Sequence, residues 1–173
     1  VIEFVVLVDE QDNAIGKMEK QQAHVEGVLH RAFSIFIFNS DKELLLQKRA
    51  SSKYHCGGLW TNTCCSHPRE NENVLEAANR RLKEEMGMQS LLMPIFTFVY
   101  KAEFANGLTE HEFDHVFFGV SNQLPSINLE EVEDYRFVGM EELQLEIKKS
   151  PQNFTPWFLI ALDRVNEFNA LQS

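Results

Sequence analysis

At 173 residues and 20.0 kDa the chain has the length of one domain, and a 44% hydrophobic fraction with fourteen Phe supplies a core and excludes a disordered segment. The formal net charge of −10 argues against non-specific binding to nucleic acid or to an anionic membrane surface, so an anionic substrate would need local cations or a bound metal. No run of about 18 apolar residues is present, as a membrane-spanning helix requires, and Val1-Ile2-Glu3-Phe4 lacks the basic region of a secretory leader. The three cysteines, Cys56, Cys64 and Cys65, are odd in number and two are adjacent. That is no disulfide framework, and the expected setting is a reducing cytoplasm, with Cys56 and Cys64 as buried structural thiols.

Residues 2–8 have the composition of a strand and end in the turn formers of 9–13. Residues 28–38 are β-branched and aromatic, and Asn39-Ser40-Asp41 turns them into 43–48, a predicted hairpin. The stretch 50–71 has no period and carries Gly57, Gly58 and Pro68, which predicts a long ordered loop of the functional kind. A helix is expected over 72–86, where Val74, Ala78 and Leu82 recur every four residues before Gly87. Strands at 91–104 and 110–120 meet at Asn106-Gly107, a hairpin signal. A strand at 132–138, a helix at 140–149 ended by Pro151 and an amphipathic helix at 155–169 complete a mixed sheet covered by helices.

Six histidines are available for metal chemistry. His24 and His30 flank the entry to the strand at 28–38, and His67 lies in the long loop. Glu110 and Glu112 are two apart on a predicted strand, so their carboxylates leave one face. Such a mixed N/O set suits Mn²⁺, Mg²⁺ or Zn²⁺, although no HxH or HExxH spacing marks it. His55, His111 and His115 are set aside as surface or satisfied core residues, His111 because it points away from its two glutamate neighbours.

The segment Trp60-Thr61-Asn62-Thr63-Cys64-Cys65-Ser66-His67-Pro68 resembles the W-T-N-x-x-C-x-H-P loop of the type I isopentenyl-diphosphate isomerases. Other landmarks of that family follow in order: Ala23-His24 and His30, Leu46-Gln47-Lys48-Arg49 through Lys53, Thr109-Glu110-His111-Glu112, and Phe154-Thr155-Pro156-Trp157. The resemblance runs from about residue 3 to 168 and implies one Nudix-like isomerase domain over 1–173, with an α/β/α fold. In the Nudix pattern G-x5-E-x7-R-E-U-x-E-E-x-G-U the chain offers Glu72, Arg80, Leu82, Glu84, Glu85, Gly87 and Met88. It departs at Ser66 in place of Gly and at Arg81 in place of Glu. A cation at position 81 weakens a hydrolytic multi-metal site and favours isomerisation.

The resemblance further implies the parts of the site. Cys65 and Glu112 would be the opposed proton carriers, Glu112 acting with Tyr100 to protonate in the forward direction and Cys65 removing a proton as a thiolate favoured by nearby cations. Trp157 would offer a π-face to a carbocation. Lys20, Arg49, Lys53 and Arg81, with Ser66, would hold the diphosphate, whereas Lys48 and Arg69 are expected in solvent. His24, His30, His67, Glu110 and Glu112 would bind one ion, and Glu85 with the Cys65 carbonyl a Mg²⁺ bridging to the diphosphate. The implied partner is a small isoprenoid diphosphate, with no nucleic acid or membrane, and the protein a monomer or weak homodimer. Three rivals stand against this reading: a nucleotide-diphosphate pyrophosphohydrolase, a silent Nudix-like binding domain and a zinc-dependent thiol hydrolase.

Overall fold

The structure, a computed structural model, describes residues 1–172. Its strands are β1 (Phe4–Val8), β2 (Ala14–Glu19), β3 (His30–Phe38), β4 (Leu44–Arg49), β5 (Trp60–Thr61), β6 (Cys64–Ser66), β7 (Met93–Glu103), β8 (Thr109–Val120) and β9 (Val132–Val138). The helices are α1 (Lys20–Glu26), α2 (Val74–Met86), α3 (Met140–Lys149) and α4 (Pro156–Ala170). All nine strands join one mixed sheet. β3 is its centre: β6 runs antiparallel along one part of it and β8 parallel along its length, from His30↔Glu112 to Phe38↔Val120.

The expected 28–48 hairpin exists only at its turn. β3 and β4 share the single pair Phe38↔Leu44, then part, and β4 runs its length against β9. Both strands are buried on both faces, so alternation cannot specify which neighbour each takes. The hairpin at Asn106-Gly107 forms as expected, with Gly107 at φ 81°. β2 and α1 stand where the sequence carried no prediction. The mean pattern there is polar, and α1 owes its start to Glu19, whose carboxylate caps the Gln21 and Gln22 amides.

Period two along the strands separates two cores. Phe36, Phe38, Leu44, Leu46, Val116 and Phe118 face α3 and α4, whereas Ile35, Ile37, Leu45 and Phe117 face α2 through Ala78, Leu82 and Met86. Helices therefore cover both faces of the sheet. α2 begins on Asn73, whose Oδ1 accepts from the Leu75 amide at 2.9 Å, and ends at Gly87 with φ 61°. Among the described residues no helix is long and apolar enough to cross a membrane.

Candidate active site

Since β3 lies between β6 and β8, residues from its two flanks can converge on one depression. Cys65 sits opposite Ser34 on one side and Glu112 opposite His30 on the other. A pocket of about 50 Å³ is lined by Cys65, Ser66, His67, Glu110, Glu112, Arg49, Lys20, Lys53, Arg81, Glu85 and Trp157. It opens beside a larger cavity of about 370 Å³, and the two share Lys20, Ser66, His67 and Arg81. Arg69, expected in solvent, lines the outer cavity.

His24, His30, His67 and Glu112 present ligand atoms within 4.8 Å of one another. His24 is carried by α1, and its Nδ1 is 2.6 Å from the Tyr54 hydroxyl. Ligation through His24 Nε2, which is buried without a partner, requires the tautomer in which Nδ1–H donates to the phenol oxygen. His30 Nδ1–H donates to the Val28 carbonyl at 2.8 Å. Its Nε2 then faces Glu112 Oε2 at 3.3 Å, two acceptors that require a positive charge between them, either a proton or a cation. His67 Nε2 reaches the same oxygen at 2.5 Å. Burial depresses His24 to a pKa of about 3 and His67 to about 4, so both rings are neutral and able to ligate. The unpaired Nε2 atoms of His24 and His30, converging with His67 and Glu112, fit a divalent cation.

The carboxylates separate in character. Burial pushes Glu112 up, but the adjacent His67 and His30 outweigh it and hold Glu112 well below the usual range. Burial and the charge of Glu112 raise Glu110. The Tyr100 hydroxyl lies 2.7 Å from Glu110 Oε1 and 2.5 Å from Glu112 Oε1. One phenolic hydrogen donates to only one of these oxygens, so the second short contact needs a carboxyl proton. The three residues thus share at least one proton besides the phenolic one.

Cys65 corrects an expectation. Burial drives its pKa far above the thiol range, against the pull of Arg49, whose Nη1 is 3.8 Å from Sγ. It rests as a thiol, because desolvation of the thiolate outweighs one guanidinium. Arg49 also lies 5.4 Å from the Trp157 ring, occupying part of the π-surface expected to face a carbocation.

The expected anion-binding cations are all present and mostly paired. Lys20 bonds Glu3 at 3.0 Å, Lys53 bonds Glu131, and Arg81 contacts Glu84, Glu85 and Glu131 at 2.8, 3.1 and 3.4 Å. The Nε atoms of Arg49 and Arg81 are buried without a partner, as donors reserved for an anion would be. Glu85 further accepts from Gln47 and from the Cys64 thiol, 3.3 Å away, so Cys64 is a polar partner rather than mere filling.

Several neighbours escaped the sequence reading. His55, set aside as surface or core, places Nε2 2.8 Å from Glu110 Oε2 and forms a second group with His24 and Glu110. Its only signal was position, beside Tyr54 in the long loop. Asn62 accepts from Trp157 Nε1 at 3.2 Å and donates to the Ile35 carbonyl. Asp114 is a buried acid held by Ser34 Oγ at 2.8 Å. His111 and His115 do face away, toward the Gly27 carbonyl and Asp12.

The fold and this cluster together define a Nudix-type domain: the NUDIX domain family model matches residues 28–158. Solved structures agree at the level of fold. DR0079 from Deinococcus radiodurans superposes with a TM-score of 0.70 at 19% identity, over 85% of this chain and 90% of that one. The NUDIX domain of Shewanella oneidensis NrtR superposes at 0.62 with 18% identity, over 80% and 86%. Among curated relatives, an isopentenyl-diphosphate Delta-isomerase of Pectobacterium atrosepticum is 51% identical over 164 residues, covering 95% of this chain and 92% of the relative. Isopentenyl-diphosphate Delta-isomerase 2 of Aromatoleum aromaticum is 52% identical over 161 residues, covering 93% and 85%. The chain belongs to the isopentenyl-diphosphate Delta-isomerase family within the Nudix superfamily.

Proposed function

We propose that the protein interconverts isopentenyl and dimethylallyl diphosphate, with Glu112, assisted by Tyr100, and Cys65 as the two proton carriers. Moving the double bond requires a proton added at C4 and one removed from C2, with positive charge at C3 between the steps. The observation that carries this reading is the delivery of Cys65 and Glu112 into one pocket from opposite flanks of β3. In the forward direction the proton shared by Tyr100, Glu110 and Glu112 goes to C4, and the C2 proton goes to Cys65.

Because Cys65 rests as a thiol, its proton must first pass to water through the adjoining outer cavity, and the thiolate so formed then accepts the C2 proton. Arg49 Nη1, 3.8 Å from Sγ, is placed to receive the resulting thiolate. The inner pocket adjoins the outer cavity, which leaves the hydrocarbon end of the substrate between Cys65 and Glu112 and its diphosphate toward the outer cavity. Lys20, Lys53, Arg49, Arg81 and Ser66 would hold the diphosphate where the two cavities meet, exchanging ion pairs with Glu3 and Glu131 for phosphate oxygens. Trp157 shields the cationic carbon from water.

His24, His30, His67, Glu110 and Glu112 would hold one divalent ion of the Mn²⁺, Mg²⁺ or Zn²⁺ class, and Glu85 with the Cys65 carbonyl a Mg²⁺ toward the diphosphate. Such ions supply positive charge that acidifies the carboxyl unit and neutralises the diphosphate. The deciding experiment incubates the protein with isopentenyl diphosphate and Mg²⁺ in deuterated water and follows products by NMR. Dimethylallyl diphosphate bearing deuterium, with no phosphate released, is expected. Phosphate release without isomerisation would overturn the assignment in favour of a hydrolase.

A further inference from the structure

We infer that His55 is a ligand of the metal centre, a fourth imidazole beside His24, His30 and His67. The inference rests on the reading of that cluster as a metal site. His55 Nε2 lies 2.8 Å from Glu110 Oε2, yet that oxygen accepts no hydrogen bond. The two atoms are therefore close without the N–H lying along the line between them. Ligands in adjacent positions around one ion, each about 2.1 Å from it, lie about 3 Å apart and point at the ion rather than at each other. His30 Nε2 likewise lies 3.3 Å from Glu112 Oε2 with the nitrogen unpartnered, although that oxygen also meets His67 Nε2 at 2.5 Å.

His24, His55 and Glu110 bring their ligand atoms within 4.8 Å of one another, and His24 belongs equally to the group with His30, His67 and Glu112. The one free nitrogen of His24 serves one ion. The two groups share His24 without all their ligand atoms lying within 4.8 Å of one another, so His55 and Glu110 form the flank of the centre that must close on the ion as it binds. The ring of His55 is held for this from behind, stacked 5.3 Å from Phe104 and edge-on to Tyr54 at 4.6 Å. Tyr54 in turn orients His24, and the Asn106 amide at the tip of the β7–β8 hairpin donates to the Tyr54 carbonyl at 3.1 Å. Consecutive residues of one loop therefore set two metal-directed imidazoles.

Four imidazoles and two carboxylates form a nitrogen-rich set, suited to Zn²⁺, Co²⁺ or Mn²⁺ and poorly matched to Mg²⁺, which prefers oxygen. The test strips the protein of metal and titrates wild type, His55→Ala and His55→Gln with Co²⁺, reading the visible bands and the affinity against a chelator. The Gln variant keeps a side chain able to donate to Glu110 and guards against a folding failure of the Ala variant. Both variants should bind Co²⁺ at least about 10-fold more weakly, with bands displaced from those of the wild type by the lost nitrogen. Unchanged bands overturn the inference, and so does weaker binding with wild-type bands, which would make His55 only a partner of Glu110. A wild-type protein that takes up no Co²⁺ with imidazole character would instead sink the metal reading itself.

Discussion

His30 and Glu112 are register partners on parallel strands, and their side chains meet at 3.3 Å with His30 Nε2 buried and unpaired. Because His30 Nδ1–H is already committed to the Val28 carbonyl, the contact between Nε2 and Glu112 requires a proton or a cation between them. Glu112 thereby links the histidine cluster that could hold a metal ion to Tyr100, which it also contacts.

Glu112→Gln should therefore remove two properties together. Loss of its charge weakens divalent-ion binding about 10-fold or more, and loss of the proton carrier lowers turnover by about 10²–10⁴-fold. Metal content after dialysis and deuterium exchange into substrate are the measurements. Wild-type metal occupancy in this variant would remove Glu112 from the ligand set.

Cys65→Ala should lower turnover by at least about 10²-fold while the domain stays folded. The thiol's polar contact is a long one from Arg49, so the melting temperature should move by no more than a few degrees. Activity within about twofold of wild type would discard Cys65 as a proton carrier.

Glu72, part of the Nudix pattern, works structurally at α2. Its two oxygens accept from Arg80 at 2.7 and 2.9 Å and from the Arg69 amide at 2.8 Å. Its pKa is lowered first by the Arg80 hydrogen bond, against burial. A depressed carboxylate stabilises above its ordinary value of 4.5, and the contribution is lost as pH falls through the lower folded value. Glu72→Gln should cost about 1 kcal/mol at pH 7, and the difference should shrink steadily below pH 4.5. Urea unfolding of both proteins across that range tests it; a gap that stays constant with pH refutes the charge argument.

Gly87→Ala should destabilise by about 1–3 kcal/mol or more. At φ 61° a side chain is strained, and the added Cβ would sit 2.5 Å from the Ser126 carbonyl oxygen, which belongs to fixed backbone. Thermal unfolding measures this, and an unshifted midpoint would show that the 126 segment yields freely.

Local signals identified α2, the β7–β8 hairpin, α3 and α4, because helical period, Asn-Gly and Pro act within a few residues. The order of strands was less legible: β3 and β4 look like a hairpin in sequence, but burial on both faces erased the alternation that would have named their neighbours.

The site divides along the same line. By itself the sequence placed Glu110 and Glu112 on one face, through the period of a strand, and pointed to the Cys65–His67 loop and the departure at Arg81 through its resemblance to the isomerase family. Only the tertiary structure decided that Cys65 rests as a thiol, since its pKa depends on how much water the closed fold removes. It alone brought Tyr54 and His55 to His24 and Glu110, because those partners, 30 and 55 residues away, meet only when the loop after β4 is pinned to the β7–β8 hairpin. Spacing carries no information about which distant side chains a folded loop will face.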